Sequence, residues 1–233
     1  MRYGNVVCGK FVARPNRFIA HVLIDEVLNI VHVKNTGRCR ELLVPGCCVW
    51  LAEAANPARK TKYDLVAVEK NRCGMPPLLI NMDSQIPNMV VEEFFRSGGV
   101  FSPSAIIRRE VKYRNSRFDL YIEDAGRKIF CEVKGVTLEN NGSTFFPDAP
   151  TERGVRHLRE LAEAVADGYE AWVFFVIQMS GINSFAPNEA MHPRFGEALR
   201  DAAAAGVEIM AKCCRVTPSS ISVLNTDDIP VLL

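Results

Sequence analysis

The chain has 233 residues, 24% of them charged, with a formal net charge of +1 and eight cysteines. That length holds one large domain or two smaller ones, the composition is that of an ordinary soluble globular protein, and the longest apolar stretches fall far short of the ~20 residues a membrane span requires. The start, Met1-Arg2-Tyr3-Gly4-Asn5, has no apolar signal core behind it, so a cytoplasmic, membrane-free protein is expected. No Cys-x-x-Cys occurs and the four histidines supply no zinc-type spacing. The adjacent pairs Cys47-Cys48 and Cys213-Cys214 sit in apolar strand-like runs, which points to buried reduced thiols.

Charge is balanced overall but not along the chain. Residues 1–80 carry a net +6 and residues 81–233 a net −5. A basic front part and an acidic back part predict two domains with different tasks, 1–77 suited to a polyanion and 78–233 suited to holding cations.

In the front part, Cys8–Ala13, Phe18–Ile24, Leu28–Val33, Cys47–Ala54 and Leu65–Val68 read as strands. Arg14-Pro15-Asn16, Asn35-Thr36-Gly37 and Pro45-Gly46 punctuate them. Five short strands without a long helix fit a small barrel of the oligonucleotide-binding (OB) type, and equally another small barrel. Basic residues gather in the connections: Arg14, Arg17, Lys34, Arg38, Arg40, Arg59, Lys60 and Lys62. They read either as phosphate contacts, favoured by the net charge, or as an ordinary solvated surface.

Gly74-Met75-Pro76-Pro77 breaks the pattern as a linker would. From Pro87 a helical period begins and runs to Gly98-Gly99, followed by a strand from Ile106 to Tyr113. Next come two β-rich runs, Ser116–Ile122 and Ile129–Lys134, joined by Asp124-Ala125-Gly126-Arg127, a hairpin-type connection. A helix opens after Pro150 and runs to Gly168, and its Arg153, Arg156 and His157 form either a phosphate-contacting stripe or a merely soluble face. Ala171–Ile177 is a continuous apolar run, expected as a central strand buried on both faces. A helix near Arg194–Ala205 and a strand at Val207–Cys213 complete the chain.

Alternate residues of a strand share a face, so Glu132 and Lys134 point the same way. With the turn centred on Ala125–Gly126, Asp119 is expected opposite Glu132, with β-carbons about 5 Å apart. Two carboxylates that close need a cation between them, and Mg²⁺ is the usual one where carboxylates meet substrate phosphates. This is the layout of a metal-dependent phosphodiester hydrolase; the competing reading is a solvated strand face.

The order of elements, with Asp on the second strand and Glu-x-Lys on the third, resembles the restriction-endonuclease-like nucleases. The likeness extends to a family. Asn35-Thr36-Gly37-Arg38, Asp83-Ser84-Gln85-Ile86-Pro87-Asn88, Glu110-Val111-Lys112-Tyr113, Ser116-Arg117-Phe118-Asp119, Glu132-Val133-Lys134-Gly135-Val136-Thr137-Leu138, Phe146–Gly154 and His157-Leu158 occur in order. Together they resemble the sugar fermentation stimulation protein A family over nearly the whole chain. Met89 and Gly135 depart from the family pattern, the first where a basic residue is usual and the second where a small polar one is.

The resemblance implies an α/β chain, α+β overall. A five-stranded OB-like β-barrel would precede a restriction-endonuclease-like α/β domain with a central mixed sheet. It also implies sequence-independent binding of DNA and a name drawn from a proposed effect on maltose metabolism; the sequence leaves RNA open as a partner. The expected site holds Mg²⁺ or Mn²⁺ on Asp119 and Glu132, helped by Glu93 on the first helix and the carbonyl of Val133. Lys134 would orient the attacking water or neutralise charge. Glu110 and Lys112 would buttress the site or form a structural ion pair. The expected nucleic-acid contacts are Arg14, Arg17, Lys34, Arg38, Arg59, Lys62, Lys112, Arg117, Arg153, Arg156 and His157. The rival expectation is a non-catalytic DNA-binding regulator on an inactive nuclease fold.

Overall fold

A computed structural model describes residues 1–35, 37–56, 58–97, 99–226 and 228–233. Thr36 of the expected Asn-Thr-Gly turn and Gly98 of the expected helix stop lie outside the described residues. The chain forms two compact units, the first made of Met1–Ile86, Gln178–Ser180 and Cys214–Ser222, the second of the remainder.

The first unit is built on β1 (Val6–Asn16), β2 (Ile19–Ile24), β3 (Val27–Val33), β4 (Cys48–Glu53), β5 (Tyr63–Arg72) and β6 (Met75–Asn81). Their order is β3-β2-β1-β4-β5-β6, and β3 also pairs with β5 through His32↔Asp64 and Val33↔Leu65. That pairing joins the two ends of the five-stranded run, which is the OB arrangement. Period-2 alternation explains the interior: Val31 and Val33 point in while Ile30 and His32 point out. Val22, Val49, Leu51 and Leu65 fill the centre with no exposed area. Gly9 is required where β1 crosses β2, because a β-carbon there would sit 2.5 Å from Val22 Cγ1 and 2.8 Å from the Leu23 carbonyl oxygen.

Two expectations are corrected here. The linker at Gly74–Pro77 is a hairpin turn running into β6, so a boundary after residue 77 cuts a strand. Met75-Pro76-Pro77 is tolerated because β6 is an edge strand, where a missing N–H breaks no ladder. Nor are the paired thiols all buried: Cys47, Cys213 and Cys214 are, but Cys48 is half-buried, and its Sγ lies 3.0 Å from that of the exposed Cys8 on the next strand.

The second unit follows the expected order with short additions. It contains α1 (Pro87–Ser97), β7 (Ile106–Tyr113), β8 (Ser116–Asp124), β9 (Arg127–Val136), β10 (Leu138–Asn140) and β11 (Ser143–Phe146). Then come α2 (Glu152–Ala166), β12 (Glu170–Ile177), β13 (Ser184–Pro187), α3 (Pro193–Ala204) and β14 (Glu208–Thr217). A last strand, β15 (Ser220–Val223), ends a mixed sheet ordered β15-β14-β12-β9-β8-β7, of which Cys214–Ser222 count with the first unit. Strands β10, β11 and β13 form a small separate sheet.

Strand β12 pairs in parallel with both β9 and β14, and Ala171–Ile177 is buried throughout. Its two faces differ. Trp172 and Phe174 meet Phe95 of α1 at centroid distances of 5.9 and 5.7 Å, while Phe175 meets Phe146 and Phe185 at 5.8 and 4.1 Å. Each fully buried aromatic of this kind contributes about 1.5–3 kcal/mol. The register Val173↔Glu132 and Phe175↔Lys134 puts both charged residues on the face away from α1. The β8–β9 hairpin turns on Ala125 (φ 48°) and Gly126 (φ 85°), both left-handed, as a two-residue type I′ turn requires.

Candidate active site

The antiparallel β8–β9 ladder runs from Asp124↔Arg127 to Leu120↔Cys131. One residue further along, the Asp119 side chain takes over from the backbone: its Oδ2 accepts the Val133 N–H at 2.8 Å. Its Oδ1 accepts from the Asn88 amide, near the start of α1, at 2.8 Å. Burial, then the charge of Glu132, push the Asp119 carboxyl up to about 6, against the Val133 N–H, Lys134 and Asn88. The Val133 N–H that Asp119 accepts belongs to the residue next to Glu132, so the two carboxylates lie in one region of the sheet.

Glu132 is 2% exposed. Its Oε1 accepts from Lys134 Nζ at 2.5 Å and contacts His157 Nδ1 of α2 at 2.6 Å. Its Oε2 is buried with no hydrogen-bond partner. Burial pushes this carboxyl up, but Lys134 and His157 outweigh it, and the group lies below the usual carboxylate value. His157, 1% exposed, receives Arg153 Nε–H on its Nε2 at 3.2 Å and stands edge-on to Phe118. His157 was expected on a surface stripe; the structure corrects this. Residues 153 and 157 are one helical turn apart; His157 is buried against Glu132, while Arg153, which reaches its ring, is exposed.

Other expected members do not join the cluster. Glu93 is exposed on α1 and Glu110 on β7, and among the described residues no three His, Cys, Asp or Glu side chains come together as a metal-holding group. Glu110 has φ 58° and stands 4.0 Å from Arg117, so it pairs with that residue and not with Lys112 as the ion-pair alternative expected. Asn88 is the residue that sequence reasoning passed over. It was quoted in the Asp83–Asn88 motif, but an amide carries no charge to single it out.

The basic residues divide sharply. Arg14 is turned inward: its two terminal nitrogens donate to the carbonyls of Gly37, Arg38, Arg17 and Asn35 at 2.6–2.8 Å. Arg59 grips Asp64 with both nitrogens, at 2.7 Å to Oδ1 and 3.0 Å to Oδ2. Lys34 bridges Asp64 at 3.1 Å and Asp83 at 3.5 Å, and Lys62 pairs with Glu53 at 3.2 Å. Burial raises the Asp64 carboxyl, but Arg59, Lys34 and His32 together bring it down to about 2. These four cations, expected as phosphate contacts, are engaged within the first unit. Arg17, Arg38, Lys112 and Arg156 are exposed without an ion-pair partner among the described residues. No helix among the described residues is long and apolar enough to cross a membrane.

Comparison with known proteins agrees with this architecture. Residues 12–75 match the family model of the SfsA N-terminal OB domain, and residues 85–220 that of the sugar fermentation stimulation protein RE domain. A sugar fermentation stimulation protein homolog of Desulfitobacterium hafniense is 57% identical over 222 residues, covering 95% of this chain and 94% of that protein. One from Ruminiclostridium cellulolyticum is 51% identical over 223 residues, covering 96% of each. A solved structure of Pyrococcus furiosus SfsA in complex with Ca²⁺ superimposes with a TM-score of 0.85 at 28% identity, covering 100% of this chain and 98% of that one. With an OB unit, a restriction-endonuclease-like unit and relatives matched over nearly its full length, the chain belongs to the sugar fermentation stimulation protein (SfsA) family.

Proposed function

We propose that this is a sequence-independent nucleic-acid-binding protein whose second unit hydrolyses phosphodiesters with a divalent metal ion, Mg²⁺ or Mn²⁺. One observation carries the reading: the buried, unpartnered Oε2 of Glu132 beside a second carboxylate, Asp119, with Lys134 at the same point. A buried carboxylate oxygen without a partner is costly, and two neighbouring carboxylates repel. A hard cation relieves both, and carboxylate oxygens are the donors it takes, so the residues fit the ion. The Ca²⁺ held by Pyrococcus furiosus SfsA supports a hard divalent cation for this fold. Asp119 and Glu132 would hold it, and when bound it would supply Lewis-acid polarisation of a phosphate and a more acidic water.

The chain's own residues do the rest. Arginine can only donate, so the Arg153 bond requires an unprotonated His157 Nε2. The ring proton then lies on Nδ1 and is donated to Glu132 Oε1. Lys134 donates to the same oxygen, so Oε1 is saturated and Oε2 is left for the ion. Asn88 and the Val133 N–H fix Asp119 differently, one donor on each oxygen, so each oxygen keeps a lone pair. Lys134 also places a positive charge where a phosphate would gain negative charge.

The test is incubation of the purified full chain with labelled single strands, duplexes and branched DNAs in Mg²⁺, Mn²⁺ or chelator. Metal-dependent cleavage that Lys134→Ala abolishes supports the reading. A wild type that binds these DNAs and cleaves none of them favours the non-catalytic regulator. The absence of a third carboxylate in the cluster, among the described residues, is the feature that speaks for that rival.

A further inference from the structure

The tip of the β1–β2 hairpin presents an unusual pair. Arg17 and Phe18 are its two central residues, between Asn16 and its partner Ile19. Phe18 is 52% exposed, although an aromatic ring normally contributes most when buried. Its backbone is nonetheless fixed from both sides. The Asn16 side chain accepts the N–H groups of Phe18 and Ile19 at 2.9 and 3.0 Å, and the Phe18 carbonyl accepts Val33 N–H at 2.8 Å. The Arg17 guanidinium lies 5.8 Å from the centre of the Phe18 ring. The Arg14 fork holds the carbonyls of Arg17 and Arg38 on one planar group, which brings to the same place a second exposed arginine, without an ion-pair partner among the described residues.

From this we infer that Phe18 is a stacking platform for an unpaired nucleobase of a single-stranded nucleic acid, with Arg17 and Arg38 taking the flanking phosphates. A base inside a duplex has both π-faces covered by its neighbours, whereas an unpaired base has a face free for a ring. A rigid exposed ring flanked by arginines suits such a base and the charged backbone on either side of it. The surface carries three features of one chemistry: an exposed apolar ring, arginines with no ion-pair partner among the described residues, and a backbone already ordered before any ligand arrives. Preorganisation of this kind removes an ordering cost from binding. The inference rests on the nucleic-acid-binding reading above and adds strandedness to it.

Fluorescence anisotropy of the full chain with labelled oligothymidylate and with a labelled blunt-ended duplex, at several salt concentrations, tests it. Phe18→Ala should weaken oligothymidylate binding by about 5- to 150-fold while leaving the slope of log affinity against log salt unchanged. Duplex affinity should move by less than about 2-fold, because paired bases make no use of the ring. Phe18→Trp should bind the single strand as well as wild type does, and Phe18→Leu should fail as Phe18→Ala does. Arg38→Ala should instead lower the salt slope by about 0.7 on the single strand. Wild-type affinity in Phe18→Leu, or equal weakening on both probes in Phe18→Ala, would overturn the platform while leaving nucleic-acid binding intact. A wild-type protein that binds neither probe would remove the nucleic-acid reading itself, and the platform with it.

Discussion

Asp64 offers a quantitative check on how the first unit is held together. It is 4% exposed and is met by Arg59, Lys34 and His32. Its carboxyl titrates at about 2 in the folded chain against an ordinary 3.8. At about 1.4 kcal/mol per pH unit between the two, the ionised group stabilises the fold by roughly 2 kcal/mol. The folded value lies below the unfolded one, so this stability is complete above the unfolded pKa and is lost as pH falls through about 2. Asp64→Asn removes the titration. Its stability should therefore fall by about 2 kcal/mol less than that of wild type between pH 6 and pH 2. Trp50 of β4, whose indole donates to Glu69 at 3.2 Å, reports on this unit. Urea unfolding followed by Trp50 fluorescence in a Trp172→Phe background, at a series of pH values, measures the difference. Asp83, pushed up by burial, titrates in both proteins and cancels to first order. Parallel stability–pH curves for the two proteins would refute the assignment of Asp64 as the charged centre of this network.

The same geometry separates two arginines that look alike in the sequence. Arg38→Ala should weaken binding to unrelated duplexes by similar factors and lower the salt slope by about one, whereas Arg59→Ala should chiefly lower the denaturation midpoint by leaving Asp64 short of a partner. Calorimetric titration with Mn²⁺ should show affinity falling about 10- to 100-fold in His157→Phe. It should be largely retained in His157→Asn, whose amide can donate from near the Nδ1 position. Gly9→Ala should destabilise the first unit by about 1–3 kcal/mol in urea unfolding, because a backbone oxygen blocks the added carbon. An unchanged midpoint there would mean that β1 and β2 can separate without loss.

The β8–β9 hairpin was legible because three signals agreed: alternating apolar residues, an Ala-Gly pair at the turn, and charges at the far end. Strand β12 was legible because a sheet covered on both faces leaves nothing for polar residues to do. What the sequence hid was the destination of its cations. Net charge counts Arg14, Lys34, Arg59 and Lys62 as if they faced solvent. Yet Arg14 serves four carbonyls and the others serve carboxylates far away in the chain or across a loop. His157 was hidden for a related reason. Helical spacing groups it with Arg153 correctly, but a stripe of polar residues looks the same whether it faces water or a buried carboxylate. Strand β6 was masked by two prolines, and β10, β11 and β13, at three or four residues each, are too short to show a period.

The first unit draws on three separated stretches of chain, ending with Cys214–Ser222, and the amino group of Met1 donates to the Ile221 carbonyl at 3.0 Å. On the ribosome, synthesis proceeds from the amino end at about 5–20 residues per second. The barrel strands therefore emerge long before their last partners exist. For that interval the early strands wait without Ser219, whose carbonyl later accepts the Tyr3 N–H. A nascent chain stalled before residue 214 would hold an unfinished first unit, open to protease and to chaperone. Emergence of residues 214–222, rather than of the barrel sequence, sets the moment at which that unit can become whole.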